Sequence, residues 1–419
     1  MLADQTVLFV NTRPSPTEAE PCFDAARALG LDVVLLADRP VAGTEGLAAE
    51  VVLVNTFDFD ALVIAAQKVA AERNVVGVVC WGDRDVEGVA AVARALRLPG
   101  NTPESAAIAR NKAHTREALL ANCPDLTPRF ARVSNPEELE AALQHVPLPA
   151  VLKPVSGSTS KGIFAVDSRD AAFAALTELI AYTQKSIDPI FHFNPGQLIL
   201  ETRIDGSEHS IDGIVRGGVL AAAAITDKSV RPPHSLEYLQ THPTALDADT
   251  QQRVLDAAQR TVTALGLGTT AIHLELRVTE GGQPMILEMN SRTGGGYITT
   301  HLLAMSRGYG FLEQVLIAVC DLGPTMAMPP AYTVAGSRQV ISAETGRLSR
   351  IDGVAAALDV PGLLTFAQDA PIGSAVAQPP SSYTSAIIGT LIARGPSLAA
   401  VTSALEVADA LVTVEVEHP

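Results

Sequence analysis

The chain has 419 residues, of which 47% are apolar and 18% are charged, and its formal net charge at pH 7 is −16. This length predicts two or three globular domains, and the apolar fraction excludes a disordered chain. The acidic balance argues against nucleic acid or an anionic membrane as a partner. A phosphorylated ligand would therefore need locally concentrated positive charges or bridging metal ions.

The start of the sequence and its cysteines predict a cytoplasmic protein. The first residues lack a basic segment followed by a long apolar one, so we expect no signal peptide. The longest apolar stretch, VLAAAAI (219–225), is too short to span a bilayer. The four cysteines lie far apart and never form CxxC, which predicts reduced core thiols and neither a disulfide framework nor a zinc site.

In the first hundred residues, short β-branched segments alternate with alanine-rich amphipathic ones. The segments that predict strands are TVLFVNT (6–12), DVVLLA (32–37), EVVLVN (50–55) and VVGVVCWG (75–82), and those that predict helices are PCFDAARALG (21–30), DFDALVIAAQKVAAER (58–73) and DVEGVAAVARALR (85–97). This alternation is typical of a parallel, doubly wound α/β domain. Its ligand crevice would lie at the carboxyl ends of the strands, where Asn11, Thr12 and residues 80–85 fall.

A second unit follows the loop LPGNTPES (98–105), and its pattern is different. In chain order we expect one helical stretch (106–122), the start of the second unit at PRFARV (128–133), a helix near 136–146, a strand-like segment (150–166), antiparallel strands (198–226) and a long amphipathic helix (250–266). The last ninety residues alternate short strands with turn signals and end in a helix and a strand.

The loop KPVSGSTSKG (153–162) packs small residues between two lysines after a short apolar strand. Backbone N–H groups and hydroxyls of such a loop can close over phosphates while the lysines supply positive charge. The loop is not a Walker A motif, because GxxxxGK followed by Ser or Thr does not occur in the sequence. A flexible surface turn is the alternative for this loop taken alone.

The segment AIHLELRVTEGGQPMILEMNSR (271–292) predicts a β-hairpin with one apolar and one polar face. The apolar positions are Ile272, Leu274, Leu276 and Val278 on the first arm and Met285, Leu287 and Met289 on the second. Between the arms, Gly281 and Gly282 suit a two-residue turn.

With those glycines as the turn, Glu275 falls opposite Glu288, and His273 faces Asn290. Two carboxylates directly across a ladder repel each other, and a divalent cation would turn that repulsion into attraction. Glu275, Glu288 and Asn290 offer the oxygen ligands that Mg²⁺ or Mn²⁺ prefers, so the hairpin predicts a metal site. The alternative is a solvated hairpin face, where glutamate is common.

In this order, these segments resemble the ATP-grasp superfamily of carboxylate–amine ligases. The resemblance rests on ARNKAHTRE, VLKPVSGSTSKG, LILETRIDGSEHSID, HLEL and LEMNSR, between an α/β domain and a small C-terminal lobe. It implies an α/β fold class with an α+β ligase core. The implied domains are an N-terminal doubly wound pre-ATP-grasp domain (1–110), an ATP-grasp domain (111–330) with a mobile lid subdomain (125–202) and an antiparallel-sheet core, and a C-terminal lobe (331–419).

The resemblance also implies which residues bind ATP. Lys112 and Lys153 match the lysines that reach the phosphates, Glu208 matches the acid that binds the ribose hydroxyls, and Lys228 matches a phosphate- or substrate-facing basic position. The other expected ATP-binding residues are Ser156, Gly157, Ser158, Thr159 and Ser160 in the lid loop, Glu201, Thr202, Arg203 and Ile204 in the hinge, and Leu287.

The same resemblance implies the metal and substrate residues. Glu275, Glu288 and Asn290 match the ligands of two Mg²⁺ ions, for which Mn²⁺ can substitute, in agreement with the hairpin pattern. Arg292 matches an arginine that steadies the transferred phosphate, and together with Lys153 and Gly295 it is expected to serve catalysis. The expected substrate contacts are His273, Arg292, Gly294, Gly295, Gly296 and Tyr297.

Within the superfamily, SRTGGGYI after the metal strand most resembles the L-amino acid ligases, which make dipeptides. The implied reaction joins a carboxylate, expected to be that of an amino acid, to an amine through an acyl phosphate, and releases ADP and phosphate. Two alternatives stay open, which are a carboxylase or formyltransferase of the purine type and a non-catalytic nucleotide-binding protein. A homodimer is the family-level expectation.

Overall fold

The structure is a computed structural model that describes residues 5–41, 44, 46–158, 160–185, 188–191, 193–231, 235–379, 381–382 and 384–418. The described residues form a parallel four-stranded sheet at the N-terminus and antiparallel sheets of four, eight and three strands. This architecture confirms the prediction of an α/β N-terminal domain joined to an α+β core.

The N-terminal sheet is built from buried β-branched segments with helices packed on it. Its elements are β1 (Gln5–Val10), α1 (Pro16–Ala28), β2 (Asp32–Ala37), β3 (Glu50–Leu53), α2 (Phe59–Glu72), β4 (Asn74–Cys80) and α3 (Val86–Leu96). The strand order is β3-β2-β1-β4. Val7 and Phe9 of β1 lie in one apolar cluster while Leu8 and Val10 lie in another. Because both faces of the strand are covered, it is apolar throughout.

The single helix predicted for 106–122 is two helices, α4 (Pro103–Arg110) and α5 (Lys112–Asn122). Asn111 separates them, because its backbone is extended and its side chain accepts hydrogen bonds from two backbone N–H groups of the next turn. Asparagine favours this N-cap position over a helix interior. The break places Lys112 in the first turn of α5.

The lid subdomain is a small antiparallel sheet with two helices packed on it. Its elements are β5 (Phe130–Val133), α6 (Pro136–Ala142), β6 (Ala150–Pro154), β7 (Phe164–Val166), α7 (Arg169–Lys185) and β8 (Leu198–Thr202). The strand order is β5-β8-β6-β7, and apolar residues of both helices and the sheet form one cluster. The strands predicted for 198–226 therefore belong to two sheets, since β8 pairs within the lid.

The core sheet begins after a short connection. Its first elements are β9 (Ser207–Arg216), β10 (Val219–Arg231), β11 (Leu236–His242), α8 (Ala248–Ala264), β12 (Thr270–Val278) and β13 (Pro284–Asn290). The amphipathic helix α8 buries Val254, Ala258 and Val262 in one apolar cluster with Leu274 and Ile286 of the last two strands. This packing fixes the apolar face of the hairpin, so the opposite face is free to carry polar groups.

The C-terminal lobe completes the core sheet. Its elements are β14 (Val334–Ile341), β15 (Gly346–Asp352), α11 (Val354–Leu358), β16 (Leu363–Gln368), β17 (Ala375–Val376), β18 (Ile387–Gly395), α12 (Leu398–Leu411) and β19 (Thr413–Glu417). The core sheet runs β13-β12-β9-β10-β11-β14-β18-β16, and the small sheet runs β17-β15-β19. Three strands of the lobe thus extend the sheet that carries the hairpin.

A π-helical turn (Ile298–Leu302), α9 (Leu303–Arg307) and α10 (Phe311–Val319) connect the hairpin to the lobe. They share one apolar cluster with β1 and α1 of the N-terminal domain. Among the residues described, no single helix is long and apolar enough to cross a membrane. The bent pair formed by these segments passes that test only when its two parts are combined, and most of its apolar side chains are buried.

Candidate active site

The hairpin β12–β13 has the predicted register at its functional end. Glu275 lies opposite Glu288, and His273 lies opposite Asn290. Ile272, Leu274, Leu276 and Val278 of the first arm are buried, as the alternation predicts. The opposed carboxylates are therefore a property of the fold.

The turn of this hairpin differs from the two-residue prediction. The N–H of Thr279 donates to the carbonyl of Gln283 at 3.0 Å, so the loop between them has three residues. A β-bulge then adds Leu287 to β13, and this extra residue restores the pairing of Glu275 with Glu288. The predicted register is correct although the predicted turn is wrong. The loop is one residue longer than predicted, and the extra bulge residue in β13 compensates for that difference.

The bulge also changes which side chains of β13 face the core. Ile286 and Met289 are buried in the apolar cluster under the hairpin. Met285 and Leu287 are only half-buried and belong to no apolar cluster in the described part of the chain. The prediction that these two face the core is wrong, and the half-buried position of Leu287 is compatible with the predicted contact with ATP.

Each of the two opposed carboxylates accepts a hydrogen bond from a lysine. Lys112 Nζ donates to Glu288 Oε1 at 2.9 Å, and Lys228 Nζ donates to Glu275 Oε1 at 2.8 Å. His273 Nε2 lies 3.2 Å from the same Glu275 oxygen. These cations offset the repulsion between the acids, so their pairing does not by itself require a metal ion. The prediction that only a divalent cation would offset the repulsion between Glu275 and Glu288 is therefore corrected.

Lys228 lies between two acids, Glu237 and Glu275. These three residues are called the strand cluster. Its ammonium group contacts Glu237 as well as Glu275, and its side chain is almost fully buried. Burial by itself would lower the pKa of Lys228, but Glu237, Glu275 and Glu208 raise it above its ordinary value. The strand cluster carries one surplus negative charge.

The fit of a divalent cation rests on the donor atoms. Glu275, Glu288 and Asn290 supply carboxylate and amide oxygens, which Mg²⁺ and Mn²⁺ prefer. No group of three or more His, Cys, Asp or Glu side chains within the described ranges is arranged as a metal site. The Asn290 amide lies 3.0 Å from Asp83 Oδ1 and 3.1 Å from Glu288 Oε1. If the Asn290 nitrogen faces Asp83 and Glu288, it can donate a hydrogen bond to each carboxylate. If the amide oxygen faces them instead, three oxygens lie together, an arrangement that a cation stabilises. The residues thus fit a divalent cation.

Arg292 reaches across to the N-terminal domain. Its Nε and Nη2 donate to the two carboxylate oxygens of Asp83 at 2.9 and 2.7 Å, and its Nη1 donates to the Thr293 carbonyl at 2.8 Å. Burial by itself would raise the pKa of Asp83, but Arg292 lowers it below its ordinary value. Arg292 and Asp83 therefore form a bidentate ion pair.

Asp212 organises the start of the glycine segment. Its Oδ1 accepts a hydrogen bond from the Gly294 N–H and lies 3.0 Å from His273 Nδ1. A side chain at position 294 has no space, because an added Cβ would lie 2.2 Å from Asp212 Oδ1. Burial by itself would lower the pKa of His273, but Asp212 raises it to about 9, so the ring is a protonated bridge between Asp212 and Glu275.

The next two glycines border a cavity of about 130 Å³, which Arg292 and Glu275 also line. At Gly295 an added Cβ would meet nothing closer than 4.0 Å, so the backbone there is open to a ligand. Gly296 has a φ of +64°, and an added Cβ would collide with Gln240. Of the three glycines, Gly294 approaches a protein acid and only the other two face the cavity.

Tyr297 does not line this cavity. Its side chain is 3% exposed, and its hydroxyl donates to Asp369 Oδ1 at 2.9 Å. The ring lies in the apolar cluster shared with the N-terminal domain. The prediction that the Tyr297 side chain contacts the substrate is therefore wrong, because its hydroxyl is hydrogen-bonded to Asp369 inside the fold.

A second buried charge group, the hinge cluster, consists of Arg116, Lys153 and Glu201. Arg116 Nε donates to Glu201 Oε1 at 2.7 Å, and Lys153 Nζ lies 2.7 Å from Glu201 Oε2. Arg116 Nη2 also donates to the Leu287 carbonyl at 2.8 Å, which connects the hinge to the bulge. Burial by itself would raise the pKa of Glu201, but the two cations lower it to about 2. The hinge cluster carries one surplus positive charge.

The hinge continues beyond Glu201 along the edge of the site. Arg277 donates to Glu208 Oε2 at 2.9 Å and to the Ile204 carbonyl at 2.7 Å, so it connects the expected ribose acid to the hinge. Thr202 ends β8 and is half-buried. The exposed Arg203 pairs with Asp205 at 3.1 Å. The roles of these hinge residues toward ATP stay predictions.

The start of the lid loop contacts the first lysine of the site. The Gly157 carbonyl accepts a hydrogen bond from Lys112 Nζ at 3.2 Å. The Ser156 hydroxyl is buried and accepts a hydrogen bond from Asn194 at 2.9 Å. The loop therefore lies over the same ammonium group that contacts Glu288.

The rest of the loop spans two cavities. Ser160 lines the 130 Å³ cavity and donates to the Ser235 carbonyl at 2.9 Å. Ser158 and Lys161 line a cavity of about 520 Å³ at the carboxyl end of the N-terminal sheet, where the crevice was predicted. Thr159 lies outside the described residues. The loop thus faces both the hairpin and the N-terminal domain.

Aromatic side chains join the lid to the N-terminal domain. The ring of Phe193 lies 5.7 Å from that of Phe57 and 6.1 Å from that of Phe59. Arg84 lies over Phe57, and Arg110 lies over Phe193. These contacts therefore fix the lid against the N-terminal domain.

Sequence reasoning missed five charged residues that orient the predicted ones. They are Asp83, Arg116, Asp212, Glu237 and Arg277. Arg116, Asp212, Glu237 and Arg277 lie on helices or strands that also carry buried or half-buried apolar residues, and Asp83 lies just after a buried strand. That position is a usable signal, because a buried charge needs a partner.

Three family models match the chain in order. An ATP-grasp N-terminal domain matches residues 23–100, an ATP-grasp domain matches 146–301, and an L-amino acid ligase C-terminal domain 2 matches 338–417. The chain belongs to the ATP-grasp superfamily. The predicted family is confirmed, and the hinge, the hairpin and the glycine segment lie within the matched ATP-grasp domain.

Curated relatives of this ATP-grasp chain include proteins named as synthases and ligases. An uncharacterized protein of Sinorhizobium fredii is 29% identical over 366 residues, 85% of this chain and 72% of that protein. Carnosine synthase 1 of Mus musculus is 28% identical over 337 residues, 74% of this chain but 39% of that protein. Alanine–anticapsin ligase of Bacillus subtilis is 25% identical over 248 residues, 56% of this chain and 51% of that protein. The chain thus spans less than two thirds of the last two.

Solved structures agree with the fold. An L-amino acid ligase from Bacillus licheniformis superposes over the whole of both chains with a TM-score of 0.86 and 21% identity. A phosphoribosylglycinamide synthetase from Anaerococcus prevotii covers 99% of this chain with a TM-score of 0.72 and 17% identity. The predicted ATP-grasp fold, with its C-terminal lobe, is confirmed.

Proposed function

We propose that this ATP-grasp protein is an ATP-dependent carboxylate–amine ligase. It joins the carboxylate of an amino acid to an amine through an acyl phosphate, and releases ADP and phosphate. One observation carries the proposal: Glu275 and Arg292 line a cavity beside Gly295 and Gly296. Glu288 lies opposite Glu275 in the hairpin and accepts a hydrogen bond from Lys112. The names of the curated relatives, including a D-alanine–D-alanine ligase, support this class of reaction.

ATP is proposed to lie between the lid and the core sheet. Its adenine would contact the hinge at 201–204 and Leu287, and its ribose would contact Glu208. Lys112 and Lys153 would reach the phosphates. Lys228, which contacts the expected metal ligand Glu275, would face the phosphates or the substrate. Glu275, Glu288 and Asn290 would hold two Mg²⁺ ions, or Mn²⁺, which when bound offset the charge of the phosphates.

The first step activates the acid. An oxygen of the substrate carboxylate attacks the γ-phosphorus of ATP, and ADP leaves with the electrons of the broken P–O bond. Arg292 and Lys112 offset the charge that spreads over the transferred group, and the closed lid keeps water away from the acyl phosphate. Most of the rate would come from positioning and charge compensation.

The second step forms the amide. The amine nitrogen attacks the acyl carbon, phosphate leaves with the electrons of the C–O bond, and the nitrogen loses one proton. Gly295 and Gly296 let the backbone approach the acid substrate, while Arg292 stays on the phosphate. No covalent bond to the enzyme is needed in this sequence.

The test is a pairwise screen of amino acids for ATP-dependent phosphate release, with mass spectrometry of the product. Release that needs both an acid and an amine, and an amide of the expected mass, would support the proposal. Release that needs bicarbonate or formate instead would favour the purine-type carboxylase or formyltransferase. ATP binding without phosphate release across the panel would favour a non-catalytic nucleotide-binding protein.

The control for this screen is Glu288→Ala, which should abolish amine-dependent ADP release. The variant removes the acid that Lys112 contacts and that is proposed to hold metal. Turnover at a near-normal rate in this variant would contradict the metal assignment. Screening at several Mg²⁺ concentrations tests whether the ions act in the same step.

We also propose that the chain acts in the cytoplasm as a homodimer, with domain boundaries near residues 110 and 330. Small-molecule acids and amines are the proposed partners, without nucleic acid or membrane. Light scattering coupled to gel filtration tests the dimer, and limited proteolysis tests the boundaries.

A further inference from the structure

One carboxylate of the N-terminal domain contacts two residues of the proposed reaction. Asp83 binds Arg292 through both of its oxygens, at 2.9 and 2.7 Å, and its Oδ1 lies 3.0 Å from the Asn290 amide. Asp83 is 8% exposed and lies in a short turn after β4. The N-terminal sheet therefore supplies a buried group to a site whose other residues come from the core sheet.

The geometry leaves part of Arg292 free for a ligand. A guanidinium has five N–H donors. Asp83 accepts two of them and the Thr293 carbonyl accepts a third, so one hydrogen remains on each terminal nitrogen. Arg292 also lines the 130 Å³ cavity. The plane in which its free donors lie is therefore set by Asp83.

Asp83 lies between the two cavities described above. It lines the 520 Å³ crevice, whereas Arg292 and Glu275 line the smaller cavity beside the glycine segment. On its other side, the Asn290 amide is held between Asp83 and Glu288. A displacement of Asp83 would thus be transmitted to the phosphate-contacting arginine and to an expected metal ligand together.

We infer that Asp83 is a positioning residue of the ligase, which orients Arg292 toward the transferred phosphate and Asn290 toward the metal ions. The inference rests on the proposed function of the site and adds a role that the N-terminal domain plays in it. Asp83 does not touch the reacting atoms. It acts through the two residues that it holds, so its loss should change rate and metal affinity more than nucleotide binding.

The test compares Asp83→Asn with the wild type. The amide has nearly the same shape, but it cannot accept both hydrogen bonds of Arg292. Misplacement of a catalytic group and loss of an outer partner of a metal ligand each cost roughly 10- to 100-fold. We expect kcat to fall by about 100-fold and the affinity for Mn²⁺ in the presence of ADP, measured by electron paramagnetic resonance, to fall about tenfold. ADP affinity without metal should stay within about threefold, because the hydrogen bonds of Asp83 go to Arg292, which is proposed to contact the transferred phosphate that ADP lacks.

The matched control is Asp409→Asn, which breaks a similar Arg–Asp pair in the C-terminal lobe. Asp409 accepts a hydrogen bond from Arg338 at 2.8 Å, and both side chains are partly exposed. This variant should keep the wild-type kcat and Mn²⁺ affinity. A second comparison places Asp83→Asn in an Arg292→Gln background. There the further fall in kcat at saturating Mg²⁺ should be smaller than in the wild type, since contacting residues are not additive, whereas the roughly tenfold loss of Mn²⁺ affinity should persist because it depends on Asn290.

Two outcomes would overturn the inference. One is a wild-type kcat and Mn²⁺ affinity in folded Asp83→Asn. The other is a loss of activity that matches the unfolded fraction, with kcat per folded molecule unchanged. If the amide variant does not fold, Asp83→Glu keeps the charge but displaces the carboxylate, and wild-type kcat and Mn²⁺ affinity in that variant would likewise overturn it. Failure of the proposed function is separate, because the Mn²⁺ measurement needs no acid or amine substrate.

Discussion

Two of the buried lysines of the site, Lys153 and Lys228, lie in opposite electrostatic surroundings. Lys153, in the hinge cluster, shares a single acid with Arg116, whereas Lys228, in the strand cluster, lies between Glu237 and Glu275. Burial, helped by Arg116, lowers the pKa of Lys153, although Glu201 opposes it. The pKa of Lys228 is raised, because its acids outweigh the cost of burial.

This difference divides the site into a positive and a negative half. The hinge cluster has a surplus cation, which is the charge that a triphosphate requires. The strand cluster has a surplus anion, which is the charge that divalent cations require. Lys112 and Glu288 bridge the halves with a hydrogen bond of 2.9 Å. A metal–nucleotide complex, with cations between phosphates and acids, matches this division.

The largest expected effect comes from neutralising the negative half. Glu275→Gln removes one acid of the strand cluster but leaves Glu237 to pair with Lys228. The fold should persist, while loss of a metal ligand should reduce kcat on the order of 10³-fold, because bound metal supplies several kcal/mol of charge stabilisation. Phosphate-release kinetics and Mn²⁺ binding would measure the two effects.

Removal of an equally charged surface group provides the control for that variant. Glu140→Gln breaks an exposed pair with Arg169 on the lid and should leave kcat unchanged. Wild-type Mn²⁺ affinity in Glu275→Gln would show that the negative half does not hold the ion.

The second largest effect should come from the positive half, and it should be a loss of stability. Glu201→Gln leaves Arg116 and Lys153 buried without their acid. Breaking a buried ion pair costs about 3–5 kcal/mol of unfolding free energy. Urea denaturation would measure it. Glu117→Gln, which breaks an exposed pair with Arg132, should cost less than about 1 kcal/mol. Equal losses in the two variants would refute the buried-pair interpretation.

A third prediction concerns acid pH and the same carboxylate. The pKa of Glu201 is about 2 in the folded protein, against an ordinary value of 4.5. A lowered folded-state pKa adds stability above about pH 4.5, and that stability disappears as the pH falls toward 2. The difference in unfolding free energy between the wild type and Glu201→Gln should therefore shrink across this range. Urea titrations at a series of pH values would measure it, and a constant difference would contradict the assignment.

The smallest effect should distinguish variants of two adjacent glycines, Gly294 and Gly295, near the negative half. Gly294→Ala places a Cβ 2.2 Å from Asp212 Oδ1 and 2.6 Å from His273 Nδ1, whereas Gly295→Ala meets nothing closer than 4.0 Å. Overpacking costs roughly 1–3 kcal/mol, so only the first variant should unfold at a lower temperature. The second should instead raise KM for the acid substrate. Similar melting temperatures for the two variants would contradict this division of roles.

Part of the site was predictable because it is local. The alternation in residues 271–292 placed Glu275 and Glu288 on the polar face of a hairpin, and the small residues of 153–162 indicated a loop over phosphates. The pairing of the two acids was predicted from a two-residue turn, and the bulge in β13 preserved it although that turn was wrong. The bulge at Leu287 was not predictable from alternation, since one inserted apolar residue after Ile286 leaves no compositional mark. Asn111 was a readable signal, as an N-cap inside an apparently continuous helix, and the pattern of apolar residues concealed it.

The sequence by itself determined the alternating strands and helices of the parallel N-terminal sheet, the hairpin of residues 271–292 and the identity of the candidate ligands. Those features depend on periodicity and on residue type within short windows. Only the tertiary structure decided that Asp83 binds Arg292, that Arg116 and Lys153 share Glu201, and that Tyr297 is buried. These partners are up to 209 residues apart in the chain, and a buried charge pairs with whichever opposite charge the packed sheets bring near it.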